Sequence, residues 1–536
     1  MPVTLDRLEA EIAAANVQFD GGIASIAARL NSAKPKVELP GNDRLLSAFA
    51  IELAEILKHH GVYQRGGIAF IVNRQQDGLV PITPQMLRTL VEEHLVCYRI
   101  TTIGEAELSL NRTMTESDAK GVLSSQQFID RLPKLEKIAT ARLPVIRSNE
   151  TIELLPPGYD RESLTLTIPQ CTYNELMPLS GAKKVLDDLL SEFPFADGGR
   201  SKAVGVAAMI SLFGSGLLPK GALRPVFIYL GNAEGAGKTM LAKCAVSPAH
   251  GFVDTEGAPK DKVEIAKELL TAVIEARSYI LLDNCKGHLD SPQLEAFVTS
   301  VRWKGRILGV SKSFCGEHYV TVLITGNGCT VSPDIRRRSL FVELFMEQER
   351  AEDRKFERIL DDAALLTMRS DILAALWAFV REWNLAGRPG PSRAHSSFPR
   401  WAEIIGAIVE FAGFGCPLET AEIQGASDVD GSDVWELVAA LGSEPMKFDE
   451  LVSLAREKGL FERLLAGDGD LKPNEKSAFG KLLKRYDRRI FRDRKRFVVE
   501  GKGHNRRFYA FPESEAHARS QGHHGVSADP EDPLCL

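Results

Sequence analysis

The chain has 536 residues, of which 44% are hydrophobic and 26% are charged, and its formal net charge is −6. This length exceeds one ordinary core and predicts roughly three or four domains of about 150 residues. The composition is that of a soluble globular protein, and no stretch reaches the about 18 uncharged apolar residues of a membrane span. The N-terminus also lacks the basic start and apolar run of a secretory signal. These features favour a cytoplasmic protein without a membrane partner.

The positions of the cysteines and of the charged residues indicate which ligands and partners to expect. Eight cysteines are scattered with no CxxC pair and no Cys/His cluster at zinc-ligand spacing, so structural zinc and disulfides are not expected. Charge is uneven, because residues 472–508 hold 14 Lys/Arg against 4 Asp/Glu, a local +10 that leaves −16 elsewhere. This asymmetry indicates an anionic partner for the C-terminal part.

Hydrophobic periodicity predicts a multidomain α/β chain. In the N-terminal part Gly66 and Gly67 mark a tight turn, and the Gly/Asp/Ser-rich stretch QGASDVDGSD predicts a linker near the C-terminal part. The predicted divisions are a mixed α/β domain at 1–165, a helical collar at 166–224, a β-rich core at 225–350, a helical lid at 351–424, a winged helix at 432–512 and a disordered tail at 513–536.

The strongest motif is PVFIYLGNAEGAGKTMLAKCAV, starting at Pro225. An apolar strand runs into a glycine-rich loop and then a helix, which is the context of a Walker A motif. Such a loop turns backbone N–H groups toward phosphate, while Lys238 contacts the β/γ-phosphates and Thr239 binds Mg²⁺. Asn232 stands where the strict pattern has glycine, and asparagine tolerates left-handed geometry. A chance glycine-rich turn is the alternative. The predicted ATP-binding residues are Asn232, Gly235, Ala236, Gly237, Lys238, Thr239 and Met240.

A second apolar strand, YILL, ends in Asp283 and Asn284, 45 residues beyond Lys238. An aspartate at the carboxyl end of a buried strand can hold Mg²⁺ through water, so Asp283 is predicted to be the Walker B residue and, with Thr239, a metal ligand. An ordinary strand-end cap is the alternative. Because the Asn284 amide cannot accept a proton, the general base is supplied elsewhere or turnover is slow. Glu295 is a weak candidate for that base.

A third strand, VTVLITGN, delivers Asn327, which we expect to orient water between the Walker A and Walker B motifs. The segment SPDIRRR then places Arg336, Arg337 and Arg338 on one short helix. One of them, Arg337 or Arg338, is predicted to act as an arginine finger inserted into a neighbouring subunit, which implies a ring. A solvated basic helix end is the alternative.

Two basic surfaces are predicted to contact DNA. Between Walker B and Asn327, the segment from Trp303 to Val322 predicts a hairpin whose turn carries Lys312, Ser313, Gly316 and His318, with Lys312 and His318 as DNA contacts. A plain exposed hairpin is the alternative. In the C-terminal part, basic residues recur at helical spacing and continue into a wing. The predicted C-terminal contacts are Lys481, Lys484, Arg485, Arg488, Arg489, Arg506 and Arg507.

Together, segments 225–245, 278–284, 303–327 and 332–345 resemble the superfamily 3 helicase branch of the AAA+ ATPases. More closely they resemble primase/helicase proteins of phages, plasmids and integrated islands, through LLDN, WKGRILGVS, TGNG and SPDIRRR. Weaker likenesses are YQRGG, LPPGYD, FPRWAEIIGAIVEFAG and KSAFGKLLKRYDRRIF. The resemblance implies a P-loop ATPase core with a helical lid and an ATP-dependent hexameric ring that moves on DNA. The family's primase activity does not carry over, because 1–165 shows neither zinc ligands nor paired metal-binding carboxylates.

The sequence therefore predicts an ATP-dependent DNA helicase or translocase that acts in the replication of a phage or other mobile element. A helicase loader that remodels proteins is one alternative. The other is an ATP-binding DNA initiator or defence regulator with little turnover, which the amide of Asn284 favours.

Overall fold

The structure is a computed structural model. It describes residues 34–41, 44–73, 78–103, 106–197, 199–231, 235–257, 262–307, 313–327, 329–345, 359–419, 429–461, 464–465, 471–485, 495–501 and 506–512. Contacts divide the chain into two units: the second contains the chain after residue 419 together with 287–289 and 328–331, and the first contains the rest. Both units mix helices and strands, which confirms the predicted α/β class.

The N-terminal part of the first unit contains helices packed beside small sheets. The helices are α1 Leu46–Leu57, α2 Pro84–His94, α3 Glu116–Ser124 and α4 Gln126–Arg131. The strands are β1 Lys36–Glu38, β2 Val62–Arg65, β3 Ile68–Asn73, β4 Gly78–Pro81, β5 Val96–Ile103, β6 Ala106–Asn111, β7 Lys137–Ala139, β8 Pro144–Ile146, β9 Ile152–Leu154, β10 Gly158–Asp160 and β11 Thr165–Thr167. They form the sheets β1-β5-β6, β2-β3-β4 and β10-β11-β7 and the pair β8-β9.

Local sequence explains where these elements begin and turn. Gly66 and Gly67 have φ of 56° and 79°, so both occupy the left-handed region that a two-residue hairpin loop between β2 and β3 requires. The predicted tight turn is thus confirmed. Thr83 caps α2 by accepting from the backbone N–H of Met86, and Thr115 with Asp118 forms a capping box at the start of α3.

Two helices, α5 Leu179–Leu190 and α6 Arg200–Phe213, precede the central sheet. In α6, 12 of the 14 residues are buried, so this helix is apolar on all sides and lies inside the core rather than at its surface. It packs against the helix that follows the glycine-rich loop and against the last strand of the central sheet.

A five-stranded parallel sheet forms the centre of the first unit, in the order β13-β14-β18-β12-β20. Its strands are β12 Val226–Gly231, β13 Glu256–Gly257, β14 Tyr279–Cys285, β18 Thr321–Asn327 and β20 Ser339–Leu344. Along the chain, the segments between these strands contain the first unit's elements α7 Lys238–His250, α8 Lys262–Ile274, α9 Pro292–Val298, β16 Arg302–Arg306, β17 Ser313–Glu317 and α10 Pro333–Arg336. They also contain β15 His288–Leu289 and β19 Thr330–Val331, which belong to the second unit. The continuous apolar runs of β12 and β18 are buried, as expected for strands covered on both faces.

Helices follow this sheet: α11 Asp362–Leu385, α12 Pro399–Trp401, a π-helical turn Ala402–Gly406 and α13 Ala407–Phe411. By length and composition α11 could cross a membrane, but 61% of its most apolar window is buried inside the protein. Its apolar residues join the same core as α6 and α7. Trp401 is fully buried, and its indole N–H donates to Ser211 of α6 at 2.8 Å, which ties this helical segment to that core.

The second unit combines three helices with a small antiparallel sheet in its described residues. Its elements after residue 419 are α14 Val429–Ala440, β21 Met446–Lys447, α15 Phe448–Glu457, α16 Pro473–Arg485, β22 Lys495–Glu500 and β23 Arg507–Pro512. The sheet has the order β21-β23-β22. The helices and the sheet share an apolar core, which includes Leu437, Phe479 and Phe508. The predicted linker is wrong in its second half, because residues 429–433 already belong to α14.

Candidate functional site

The glycine-rich loop lies at the carboxyl end of β12 and leads into α7. Gly235 and Gly237 have φ of 77° and 96°, a backbone conformation that other residues rarely adopt. A Cβ on Gly231 would lie 3.2 Å from the Nζ of Lys238, so the lysine side chain folds back over the end of β12. Ala236 is buried. Asn232 lies outside the described residues.

Asp283 and Thr239, predicted separately from two motifs, are bonded to each other. The Thr239 hydroxyl donates to Oδ1 of Asp283 at 2.6 Å. The Thr325 hydroxyl donates to the same oxygen at 2.6 Å and accepts the backbone N–H of Asn284 at 3.0 Å. Two hydroxyl donors on one oxygen hold the carboxylate in position.

Thr325 is a member of the site that sequence reasoning missed. It is fully buried in β18, within an otherwise apolar run. A hydroxyl inside such a strand needs a hydrogen-bond partner, and that requirement was the only signal in the sequence. The partner could not be identified without the strand order, which places β18 directly beside β14.

Asn284 sits at an irregularity in β14. The register with β18 shifts between Leu282 and Cys285, and Asn284 has φ of 59° with an exposed side chain. Asparagine enters the left-handed region more readily than glutamate does. The bulge therefore gives a local physical reason for an amide at this position.

Asn327 ends β18, and the sheet order places that strand between β14 and β12. Its Oδ1 is buried and has no hydrogen-bond partner among the described residues. A buried amide oxygen without a partner is costly unless a ligand or water uses it. Glu295, the weak candidate for a base, accepts instead from the Ser332 hydroxyl at the start of α10.

These groups fit a phosphate chain that carries a divalent cation. The loop and the start of α7 offer backbone N–H groups and the Lys238 charge. Thr239 donates its proton to Asp283 and so keeps its lone pairs for a cation. Within the described ranges, no group of three or more His, Cys, Asp or Glu could hold a metal ion alone. A cation here would therefore need phosphate oxygens and water as its other ligands.

The predicted arginine finger residues lie at the opposite end of the sheet. The prediction of one short helix for all three arginines is wrong, because α10 ends at Arg336 and the next two arginines follow it. The backbone N–H of Val226, which begins β12, donates to the Arg338 carbonyl at 2.9 Å. Arg337 is 60% exposed and pairs with Asp334 at 2.7 Å. Arg338 is only 18% exposed, and its guanidinium donates to the Asp334 carbonyl at 2.8 Å. Arg337 is therefore freer to reach another molecule.

The predicted hairpin exists, but its second strand begins earlier in the chain than expected, at Ser313. Strands β16 and β17 pair from Arg302 with Glu317 to Arg306 with Ser313. The placement of Ser313, Gly316 and His318 in the turn is therefore wrong, since the first two belong to β17 and His318 follows it. Lys312 lies outside the described residues.

His318 stacks on Phe297 with ring centroids 4.0 Å apart. Burial lowers the pKa of its imidazole to about 4, and the nearby charge of Arg224 acts in the same direction. A neutral, stacked ring at the base of the hairpin is poorly placed for the phosphate contact that the sequence predicted.

The predicted basic residues of the second unit are described in part. Lys481, Lys484 and Arg485 belong to α16, and Lys484 is exposed. Leu482 and Leu483 are buried, as the helical spacing predicts. Arg506 and Arg507 are half-exposed at the start of β23, whereas Arg488 and Arg489 lie outside the described residues.

No protein-family model matches the chain, and no curated protein matches it. Among solved structures, the apo A form of the NrS-1 C-terminal region has 11% identity and a TM-score of 0.40, covering 86% of this chain and 99% of its own. SCCmec type IV Cch, described as an active helicase, has 12% identity and a TM-score of 0.28, covering 78% and 91%. JCV helicase bound to a small molecule has 14% identity and a TM-score of 0.21, covering 44% and 66%. Overlaps at such TM-scores do not decide function, which has to be inferred from the geometry of this chain.

Proposed function

We propose that the protein is an ATP-dependent DNA translocase or helicase of the AAA+, superfamily 3 type that acts in the replication of a mobile genetic element. The observation that carries this proposal is the hydrogen bond between Thr239, beside Lys238 in the glycine-rich loop, and Asp283 at the end of β14. Two motifs 44 residues apart meet there at the carboxyl edge of a parallel sheet, the edge where ligands bind in such folds.

Each side chain has a distinct task in this proposal. Bound ATP would supply the phosphoryl group whose release drives movement. Lys238 neutralises charge on the β/γ-phosphates, Thr239 offers a lone pair to Mg²⁺, and Asp283 holds a water ligand of that ion. Asn327 accepts a hydrogen bond from the attacking water through its buried Oδ1. Asn284 can orient water but cannot take its proton.

The position of the arginines supports a ring of identical subunits. A finger at the amino end of the sheet cannot complete the loop at the carboxyl end of its own subunit, so we assign Arg337 or Arg338 to a neighbour's site. A hexamer is the proposed assembly. The helices after the sheet are proposed to be the lid.

The second unit is proposed to be a winged helix that binds DNA. It has three helices, a strand after the first of them and a β22–β23 hairpin as the wing. Its +10 segment at 472–508 supplies the charge for phosphate contacts.

The decisive test of nucleotide chemistry is Lys238→Ala. The variant lacks the lysine charge that neutralises the β/γ-phosphates, so we expect ATP hydrolysis to fall at least about 100-fold. Lys243→Ala is the matched control, because Lys243 lies on the same helix but pairs with Asp362 at 2.8 Å. Steady-state ATPase assays and melting curves are measured for both. Full activity of a normally folded Lys238→Ala protein would contradict the proposal.

An ATP-binding initiator with little turnover is the second candidate, favoured by the amide at Asn284. Pre-steady-state ATPase and strand-displacement assays separate the two. Multiple turnovers with displacement of a forked strand support the helicase, whereas tight ATP binding with a single slow turnover supports the initiator.

The winged-helix proposal is tested by changing Lys484, Arg485 and Arg488 together to Ala. Each phosphate contact to duplex DNA contributes about −0.9 to the log–log slope of affinity against salt, so the variant should bind more weakly and with a flatter slope. A truncation at residue 430 should flatten it further. Equal slopes for all three proteins would assign the basic segment to solubility.

A further inference from the structure

A cavity of about 450 Å³ lies beside the amino end of β14, between the N-terminal part and the central sheet. Its walls come from β4 and β7 on one side, and from the end of α7 and the segments 252–256 and 275–281 on the other. This volume is within the range of roughly 300–1,000 Å³ that small-molecule sites occupy. The glycine-rich loop leads into the other end of α7, which has 13 residues, so the loop and the cavity are about 20 Å apart along that helix.

Hydrogen bonds hold the two sides of the cavity in place. The Thr140 hydroxyl, just after β7, donates to the Ala249 carbonyl near the end of α7 at 3.0 Å. The backbone N–H of Leu79 in β4 donates to the Glu275 carbonyl, which follows α8, at 3.0 Å. Both bonds join the N-terminal part to the core of the first unit. The cavity is therefore preformed, as small-molecule sites usually are.

Part of the lining is apolar and aromatic. Leu79 and Ile138 line the side that belongs to the N-terminal part, and Phe252 and Tyr279 line the other side. The Tyr279 ring lies 5.3 Å from the His250 ring, whereas the Phe252 ring is 64% exposed. Apolar walls accept the hydrocarbon part of a ligand, and the faces of aromatic rings attract cations.

His250, the last residue of α7, provides a polar atom that the protein itself does not use. Its Nε2 is buried and has no hydrogen-bond partner within the described ranges. Burial and the nearby charge of Arg369 lower the pKa of the imidazole to about 4, so the ring is neutral near pH 7 and one of its nitrogens is an acceptor. A buried polar atom without a partner indicates that a ligand or water occupies the space beside it.

The charged residues of the lining are mostly acidic: Asp254, Glu256 and Glu275 face a single cation, Arg277. Arg277 pairs with Glu275 at 2.6 Å and also with Glu256. Asp254 is exposed and forms no ion pair within the part of the chain that the structure describes. Burial raises the pKa of Glu268 on α8, and so does the neighbouring Glu256 carboxylate. The lining therefore has an excess of negative charge that a cationic ligand can neutralise.

We propose that this cavity is a binding site for a small organic cation of the alkyl polyamine class. Its ammonium groups pair with Asp254 and Glu256, and its methylene groups lie on Phe252 and Tyr279. Nε2 of His250 accepts an N–H from the same ligand. A polyamine alternates charged and apolar groups as the lining does, whereas the carboxylates repel ligands that carry phosphate. The site goes beyond the proposed function and does not depend on it.

Binding is measured by isothermal titration calorimetry of spermidine into the full chain. Nucleotide and DNA are left out, because both bind polyamines themselves. We expect saturable binding of one spermidine per chain. Asp254→Asn removes an exposed carboxylate without breaking a described ion pair, and we expect the affinity to fall roughly tenfold. Asp371→Asn is the matched control, because Asp371 is an exposed carboxylate of α11 that does not line the cavity.

A second pair of variants tests the aromatic wall. Phe252→Ala removes an exposed ring, so the fold should be kept, and we expect spermidine to bind roughly fivefold more weakly. Phe345→Ala is its matched control, because Phe345 is 55% exposed and does not line the cavity. Melting curves of all four variants establish that each is folded at the temperature of the titration.

The absence of saturable spermidine binding to wild type overturns the site. Equal losses in Asp254→Asn and Asp371→Asn, or in the two phenylalanine variants, overturn it as well, because spermidine then binds the acidic chain in general. Inorganic phosphate and the peptide acetyl-Gly-Lys-Gly-amide are titrated as further probes. Phosphate binding that Asp254→Asn strengthens contradicts a site for cations, and peptide binding without spermidine binding replaces the polyamine by a lysine of a partner protein.

These titrations involve no hydrolysis of ATP. A chain that binds spermidine in this cavity but has no ATPase activity would therefore overturn the proposed function and leave the site standing. A chain that hydrolyses ATP but does not bind spermidine would do the reverse.

Discussion

The two ends of the central sheet differ in what they expose. At the carboxyl end, Lys238, Thr239, Asp283 and Asn327 converge around the glycine-rich loop, and two of them are bonded to each other. At the amino end, the His318 ring is packed on Phe297, while Arg337, which follows α10, is left at the surface. Under the proposed function, the carboxyl end receives the phosphates of ATP, and the amino end presents Arg337 to another copy of the chain.

Because the two ends of the sheet are far apart, the proposed site needs residues from two copies of the chain. β12 has six residues, and at about 3.3 Å per residue the arginines and the loop are roughly 17 Å apart along the sheet. That distance exceeds the reach of an arginine side chain. In the proposed ring, the site is therefore shared between copies of the chain. Each copy contributes a glycine-rich loop to its own nucleotide and an arginine to the nucleotide of its neighbour.

The largest effect is expected from substitutions at Arg337 and Arg338, which follow α10. We expect Arg337→Ala to reduce ATP hydrolysis by about 1000-fold, because arginine fingers contribute about that factor or more. Arg338→Ala should cost less, since that side chain is mostly covered and bonded to Asp334. Steady-state ATPase assays of assembled protein measure both.

Mixed assemblies show whether Arg337 acts in trans. Subunits with Lys238→Ala keep a functional arginine, and subunits with Arg337→Ala keep a functional loop. Co-assembly should therefore restore part of the activity that each variant lacks alone. Mixed rings verified by mass spectrometry that stay inactive would place the arginine outside the neighbour's site.

A smaller loss of ATPase activity is expected from a substitution at the carboxyl end of the sheet. Thr325→Val removes a hydroxyl that donates to Asp283 and accepts from the Asn284 backbone. Hydrogen bonds to charged groups contribute about 1.5–3 kcal/mol, so we expect ATPase activity to fall roughly 10- to 100-fold. The measurement is kcat against Mg²⁺ concentration.

Thr321→Val is the control for that experiment. Thr321 is also buried in β18, but at the amino end of the strand. The same substitution there should leave the Mg²⁺ dependence unchanged. Similar losses in the two variants would mean that β18 tolerates no valine at buried threonines, and that Thr325 has no special role toward Asp283.

Local features of this site could be predicted from the sequence. The strand before the loop, the aspartate at the end of β14 and the turn at Gly66 each follow from periodicity or from a backbone conformation that only certain residues adopt. Each depends on residues close together in the chain. The sequence also predicts the hairpin, but its second strand begins earlier in the chain than the prediction has it, at Ser313.

Contacts between distant residues could not be predicted in this way. Arg65 bonds to carbonyls 208 and 252 residues away, and Thr325 finds Asp283 only because β18 lies beside β14. A side chain's partner depends on strand order and docking, which periodicity does not encode. The burial of the His318 ring could not be predicted for the same reason, because it stacks on Phe297, a residue of another element.

The smallest expected effect concerns His318 at the amino end. Because burial lowers the pKa of its imidazole from an ordinary 6.5 to about 4, the unfolded chain binds a proton here before the folded chain does as pH falls. Stability is therefore complete above about pH 6.5 and is lost progressively toward pH 4. At about pH 5 the loss from this group is at most about 2 kcal/mol in the free energy of unfolding.

His318→Phe keeps a ring on Phe297 and removes the titration. We expect the variant to lose less stability than wild type between about pH 7 and about pH 5, measured by urea denaturation at each pH. Some pH dependence should remain, because burial also lowers the pKa of His250 to about 4. If His318→Phe loses as much stability as wild type over this range, the imidazole is already protonated or solvated in the folded protein, and the amino end of the sheet is less closed than its packing indicates.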